Sequence, residues 1–234
     1  KARQARQAGV EKIILTGCWA TLEPRSAAEL PGVSDVVSNL DKMDLPLRFL
    51  AQESAEIDQE PIVRRPLPGA HLRTRAFIKV QDGCDNLCTF CVTRVARGES
   101  HSLAKEEILK EILMAESGGV HEVVLSGVHL ASWGRESGKN ETITDLITNI
   151  LNNTLVERVR LSSVEPWDLD ERFFDLWQNP RMCRHLHLPL QSGSASVLKR
   201  MLRRTTPNDF SELIETARNR IPGVALTTDI IVGF

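Results

Sequence analysis

Three of the five cysteines, Cys84, Cys88 and Cys91, fall within eight residues at the spacing C-x3-C-x2-C. They follow an apolar, strand-like stretch from Ala76 to Val80. A loop of this length can turn three thiolates toward one point, and soft thiolates so grouped suit zinc or an iron–sulfur cluster. Structural zinc commonly takes four protein ligands, whereas a [4Fe–4S] cluster held by three leaves one iron free for a substrate. Short metal motifs also arise by chance, so the triplet alone leaves a zinc knuckle and a fortuitous grouping open. Gly17-Cys18 follows the strand-like segment Glu11–Thr16 at its C-terminal end. Cys18 is either a small buried side chain or, at the edge where open α/β sheets bind ligands, a reactive one. Cys183 stands apart and reads as a buried thiol.

The elements that must carry these residues alternate. Residues 1–8 are helix-like and basic, Glu23–Leu30 is a short helix, and Val33–Val37 is a strand. Residues 45–71, broken by Pro46, Pro61, Pro66, Pro68 and Gly69, read as linker. Arg64, Arg65, Arg73 and Arg75 at its end form a solvated basic segment. Beyond it come strand 76–80 and a helix that Ser102 can cap and that Gly118-Gly119 closes. Strand Glu122–Ser126 follows. Ile143, Leu146, Ile147, Ile150 and Leu151 then give a helix over 143–152, opened by a Thr142/Asp145 capping box. Strands Arg158–Ser163, His185–Leu190 and Val224–Val232 alternate with helices over Ser194–Leu202 and from Pro207. Phe210, Leu213, Ile214 and Ala217 form the buried face of the last helix. Repeated βα units indicate a parallel barrel or an open parallel sheet, with function at the strand C-termini.

On that edge Gly127 allows close backbone approach to a ligand, and Gln191 and Ser192 are expected ligand contacts. Glu165 suits a ligand contact or a salt bridge, and His129, His185 and His187 are expected to be structural. Lys199, Arg200, Arg203 and Arg204 make the densest basic cluster, expected as a solvated helix face, with steering of an RNA phosphate as the alternative.

Composition narrows the class. The 234 residues are 41% hydrophobic and 26% charged, as in an ordinary globular protein. No apolar run approaches the ~18 residues of a membrane span. An odd cysteine count with three clustered argues against a secreted disulfide framework and for the reducing cytoplasm. A net charge of −2 gives no global nucleic-acid signal. The chain opens at Lys1 inside a helix-like stretch and stops at Phe234 directly after a strand, so a piece of a longer protein is expected.

The triplet, with Phe90 just before its third cysteine, resembles the radical S-adenosylmethionine enzymes. Four further segments occur in order: Val123 to Leu130, Arg160 to Pro166, His187 to Ser194 and Thr228 to Phe234. Together they resemble the methylthiotransferase branch of those enzymes, most nearly the one acting on N6-threonylcarbamoyladenosine in transfer RNA. The isopentenyladenosine and ribosomal-protein S12 branches are less similar. After Cys91 the chain departs from the family's apolar pair and proline, reading Val92-Thr93-Arg94, before Ala96-Arg97-Gly98 restores the pattern.

The resemblance implies an α/β fold: residues 1–52 as the end of a flavodoxin-like domain, 53–71 as linker, and 72–234 as a partial radical barrel. It implies that Cys84, Cys88 and Cys91 hold a [4Fe–4S] cluster that binds and cleaves S-adenosylmethionine. Phe90, Gly127, Gln191 and Ser192 would line the cofactor site. Thr16-Gly17-Cys18-Trp19-Ala20 matches the segment bearing one ligand of a second [4Fe–4S] cluster, which makes Cys18 a metal ligand whose partner cysteines would precede Lys1. The implied partners are a transfer RNA, an electron-donor protein and a sulfur donor of unspecified kind, with no membrane.

Overall fold

The computed structural model describes residues 1–50, 74–137 and 141–234. The chain divides into two compact units, Lys1–Val63 with Val92–Glu99, and Arg64–Cys91 with Ser100–Phe234. The expected linker 53–71, with Arg64, Arg65 and Arg73, lies outside the described residues.

In the first unit, helix α1 (Ala2–Gln7) precedes strand β1 (Ile13–Thr16), which pairs in parallel with β2 (Val33–Val37). Gly17, at φ +112°, turns the chain from β1 into α2 (Cys18–Leu22). The short helix expected over Glu23–Leu30 is α3 (Pro24–Ala28), and α2 ahead of it was not expected. Pro24 has no N–H with which to continue α2, so it starts a new helix at its own first position. Leu45–Leu50 is helix α4, which corrects the start of the expected linker. Pro46 there lies in a first turn, where its missing N–H costs nothing. Helix α5 (Thr93–Arg97) belongs to this unit, and the buried Asn39 amide donates to the Ala96 carbonyl at 3.3 Å.

The second unit carries strands β3 (Arg75–Lys79), β4 (Gln81–Asp82), β5 (His101–Ser102), β6 (Glu122–Ser126), β7 (Arg158–Leu161), β8 (His185–His187) and β9 (Ala225–Thr227). Its helices are α6 (Lys105–Ser117), α7 (Ile143–Asn153), α8 (Glu171–Asp175), α9 (Ala195–Arg200) and α10 (Pro207–Arg220). Strands β3, β6 and β7 form one parallel sheet with Ile78, Leu125 and Leu161 in register. Parallel bridges Val159–Met182 and Ser163–His187 join β7 to the β8–β9 pair. Successive major strands are therefore neighbours with no reversal of order, as in the wall of a βα barrel.

Alternation sorts the faces. Ile78, Val123, Leu125, Val159, Leu161 and Leu186 pack with Ile108, Ile112, Leu146, Ile147, Ile150, Phe173 and Ala217 of the helices in one buried cluster. The α7 capping box forms with both its arms, and so does a second one, Thr206 with Asp209, at the start of α10. Ala217 is fully buried on α10, with Phe210, Leu213 and Ile214 packed against the core from partly buried positions.

Three boundaries differ from expectation. Ser102 is no cap: it sits in β5, its Oγ accepts from the Gly134 amide at 2.8 Å, and α6 starts after Ala104. Strand β8 ends at His187, ahead of Pro189 (which lacks an N–H) and Gln191, held at φ +76°. Strand β9 keeps only Ala225–Thr227 of the expected Val224–Val232, with a single bridge beyond it, Gln191–Ile230. Among the described residues no helix is long and apolar enough to cross a membrane.

Candidate active site

The cysteine loop leaves the C-terminal end of β3. Its two ends are pinned by the antiparallel pairing of Gln81 with Ser102 and Asp82 with His101, a ladder the sequence reading missed. Gln81, fully buried, is the clip. Its Nε2 reaches the Asp82 carbonyl at 2.7 Å, the Gly83 carbonyl at 2.9 Å and Ser100 Oγ at 3.0 Å, and its Oε1 accepts from the His129 amide at 2.8 Å. A Cβ added at Gly127 would lie 3.0 Å from Gln81 Oε1 and 3.2 Å from Leu130 Cα. The glycine therefore makes room for this clip. Farther along, Thr89 donates from its amide to the Met201 carbonyl (3.2 Å) and from its Oγ1 to the Arg200 carbonyl (3.0 Å), and the Cys91 amide turns back to the Cys88 carbonyl.

Cys84 and Cys88 are half-buried and Cys91 is exposed, none of the three in a disulfide. Each of the first two faces a buried cation anchored by a carboxylate. Cys84 lies beside the ring of His129, whose Nε2 is 2.5 Å from Asp168 Oδ2 and whose Nδ1 is 3.4 Å from Asn86 Nδ2. Burial works against the charged ring, but Asp168 and Cys84 outweigh it, and the imidazole is pushed up to about 9. Arg135 holds the other Asp168 oxygen at 2.6 Å. Burial likewise raises that carboxyl, yet hydrogen bonds from His129 and Arg135 keep it below the ordinary aspartate range. His129 thus has the structural role expected of it, now with a named partner.

Cys88 lies 4.0 Å from Nη1 of Arg203. Burial pushes its thiol up, and the guanidinium pulls it part of the way back. Lys199, Arg200 and Arg204 are exposed as expected of a solvated basic face, but Arg203 departs from it: only 1% of its side chain is exposed. It makes a two-pronged pair with Glu165 at 3.2 and 2.7 Å, donates to the Pro189 carbonyl at 2.5 Å and stacks 4.3 Å from the Trp167 ring centroid. Its entry into the interior follows from how α9 ends. The Leu202 amide bonds the Lys199 carbonyl and the Arg203 amide bonds the Leu198 carbonyl, a Schellman turn with Leu202 left-handed at φ +55°. Glu165 is the salt-bridge partner that was one of its two expected roles.

Of the remaining expected site residues, Phe90, Gln191 and Ser192 belong to the second unit and Cys18 to the first. Phe90 is half-buried. Gln191 exchanges backbone hydrogen bonds with the last segment, its amide to the Asp229 carbonyl and its carbonyl from the Ile231 amide. Ser192 Oγ accepts from the Ser194 amide at 3.2 Å, a local turn. Cys18, in the first unit, begins α2 half-buried. Cys183 is half-buried rather than buried, its thiol raised by desolvation. Gln81, Trp167, Asp168 and the inward Arg203 were not singled out from sequence for these roles. Only Gln81 had a signal, a polar residue directly continuing a buried strand.

The face of the strands turned away from the helices carries polar side chains beneath this rim, next to Phe77 and Val124. His187 Nδ1 lies 2.9 Å and His185 Nε2 3.2 Å from Thr227 Oγ1, and Arg160 donates to Glu122 at 2.7 Å. Buried and without a hydrogen-bond partner there are Ser162 Oγ and His185 Nδ1 and, at the rim, Arg203 Nε and Trp167 Nε1.

The residues present fit a thiolate-bound cluster with an acceptor-rich ligand. The donor set is three thiols on one pinned loop, and the buried donors Arg203 Nε and Trp167 Nε1 lack an acceptor that a bound group would supply. Among the described residues no three His, Cys, Asp or Glu side chains group around the position of a single metal ion. A cube has no need of such a group, because each thiolate binds its own iron.

Comparison with known proteins defines the class. The model of the radical SAM superfamily matches residues 78–234, and the chain belongs to that superfamily. It is 36% identical over 233 residues to the threonylcarbamoyladenosine tRNA methylthiotransferase of Thermotoga maritima, covering 95% of this chain and 52% of that protein. The Bacillus subtilis protein of the same name is 34% identical over 248 residues, with 99% and 54% covered. The tRNA-2-methylthio-N(6)-dimethylallyladenosine synthase of Acetivibrio thermocellus is 37% identical over 161 residues, with 68% and 34% covered. The chain thus spans about half the length of the curated relatives it matches. Among solved structures, the cobalamin-dependent S-adenosylmethionine radical enzyme OxsB shares the fold, with a TM-score of 0.67 at 14% identity over 98% of this chain and 38% of that one.

Proposed function

We propose that this chain is the radical-generating part of a tRNA methylthiotransferase that replaces the C2 hydrogen of N6-threonylcarbamoyladenosine with a methylthio group. The observation that carries it is the pinned loop at the C-terminal strand edge, which presents Cys84, Cys88 and Cys91 beside two carboxylate-anchored cations. The three cysteines hold the [4Fe–4S] cluster. With S-adenosylmethionine bound, that group supplies a primary carbon radical able to take hydrogen from an unactivated ring carbon.

The chain's own share is binding, orientation and exclusion of water. Gln81 fixes the start of the loop and Thr89 its middle, so the thiols are presented at a set height above the barrel. Gln191, Ser192, Gly127 and Phe90 border the cofactor. Cys18 is a ligand of a second cluster associated with sulfur delivery. The partners are the tRNA, a low-potential electron-donor protein and a sulfur donor, in a cytoplasm reducing enough to keep the thiols free.

Polar groups on the inner face favour the threonylcarbamoyl substrate over an isopentenyl one. Ser162 Oγ and His185 Nδ1, buried there without a partner, offer hydrogen bonds that a carbamoyl or carboxylate group can use and an isopentenyl chain cannot. Leaving such groups unpaired costs about 1–3 kcal/mol each, roughly tenfold or more in discrimination. The similarity to dimethylallyladenosine enzymes makes that substrate the second candidate. Mass spectrometry of nucleosides from tRNAs incubated with the full-length protein, S-adenosylmethionine and reductant separates them. A methylthio adduct on threonylcarbamoyladenosine alone is expected; modification of only the isopentenyl nucleoside, or of ribosomal protein S12, would overturn the choice.

A further inference from the structure

Arg203 is the member of the basic run Lys199–Arg204 whose side chain is turned into the interior, and its surroundings over-determine its position. Glu165, the Pro189 carbonyl and the Trp167 ring hold the guanidinium from three sides, and the Schellman turn at Leu202 fixes its backbone. A buried ion pair of this kind is weak evidence for a stabilising role, since a well-packed apolar group of the same volume commonly does as well. What the arrangement does provide is one immobile N–H aimed at Cys88 Sγ.

We propose that Arg203 is a positioning residue that donates a hydrogen bond to the Cys88 thiolate and thereby raises the reduction potential of the cluster bound there, with Glu165 as the opposing charge. This rests on the assignment of Cys84, Cys88 and Cys91 as cluster ligands. Adding one electron makes the cluster and its thiolates more negative, so a cationic donor at a ligand sulfur stabilises the reduced form more than the oxidised one. A carboxylate nearby does the reverse. The two side chains therefore act with opposite signs, although they form a single ion pair. A purely structural pair would act with one sign, because losing either partner would loosen the same loop.

The test is potentiometric titration of the full-length protein with dithionite as the one-electron donor. The signal followed is the electron-paramagnetic-resonance spectrum that changes on adding S-adenosylmethionine, and iron and sulfide contents are measured alongside. Arg203→Gln should lower the midpoint by about 59 mV, equivalent to a tenfold smaller reduced-to-oxidised ratio at a fixed poise. Glu165→Gln should shift it upward, and Arg203→Lys, which keeps the charge but not the fork, should fall between wild type and Arg203→Gln. Shifts of the same sign in Arg203→Gln and Glu165→Gln, or unchanged midpoints with only a raised KM for S-adenosylmethionine, would overturn the inference and give Arg203 to the cofactor. If Arg203→Gln assembles no cluster, Glu165→Gln decides alone, and the absence of an upward shift overturns the inference. Wild-type protein that takes up no cluster would remove the ligand assignment itself, a different failure from midpoints that do not move.

Discussion

Single side chains in this molecule divide between those that face the reaction edge and those that hold the strands together, and Glu122 shows the second role most clearly. It sits in register between Arg75 and Arg158, with Arg160 two residues on, and its oxygens lie 2.8, 3.2 and 2.7 Å from the three guanidiniums. Burial pushes its carboxyl up, but the hydrogen bonds and charges of Arg160, Arg158 and Arg75 prevail and hold it below the usual glutamate range. A depressed folded-state value means that the stabilisation is present above the unfolded value and is lost as pH falls through the folded one. Glu122→Gln should therefore destabilise by about 2 kcal/mol near pH 7, less than for a fully buried pair because Arg75 and Arg158 are half-exposed. In urea unfolding the gap between wild type and variant should close as the pH is lowered through the acidic range. A gap independent of pH would show that packing, not charge, is what the substitution removes. Sequence displayed Glu122 only as the first residue of a strand, because its partners come from two other strands, 36 and more residues away.

At the scale of elements, legibility followed how local the cause was. Helix α7 was readable because its apolar spacing and its Thr142/Asp145 box are both written within four residues of one another. The cysteine loop was readable by spacing, but the ladder that closes it was not: β4 and β5 are two residues each, too short for any period. The inward turn of Arg203 was hidden for a different reason. Schellman turns normally announce themselves with glycine at the left-handed position, and here that position is Leu202. An L-residue there costs about 1–2 kcal/mol, against about 0.5–1 kcal/mol of extra unfolded-state freedom for glycine. Leu202 is also largely exposed, so little packing is lost on removing it. Leu202→Gly should accordingly be neutral or stabilising by up to about 1 kcal/mol, read as an unchanged or raised midpoint of thermal unfolding. A clear loss of stability would mean that the Leu202 side chain contributes contacts that outweigh its strained backbone.

For the molecule as a whole, parallel strands in sequence order bring to one edge what the chain keeps far apart: the cysteine loop after β3, His129 after β6, Glu165 to Asp168 after β7, Pro189 and Gln191 after β8. This convergence is why the class was legible from the motifs at strand ends while the pairings across the edge were not, since no spacing in the sequence encodes which loop meets which. The central claim is that Cys84, Cys88 and Cys91 together support reductive cleavage of S-adenosylmethionine. Its most direct measurement is 5′-deoxyadenosine formed by anaerobically reconstituted full-length protein under dithionite, comparing wild type with single Cys→Ala variants at positions 84, 88, 91 and 183. Loss of product to background at the three loop positions, with near wild-type formation at Cys183, is the predicted result; undiminished 5′-deoxyadenosine from Cys88→Ala would contradict it.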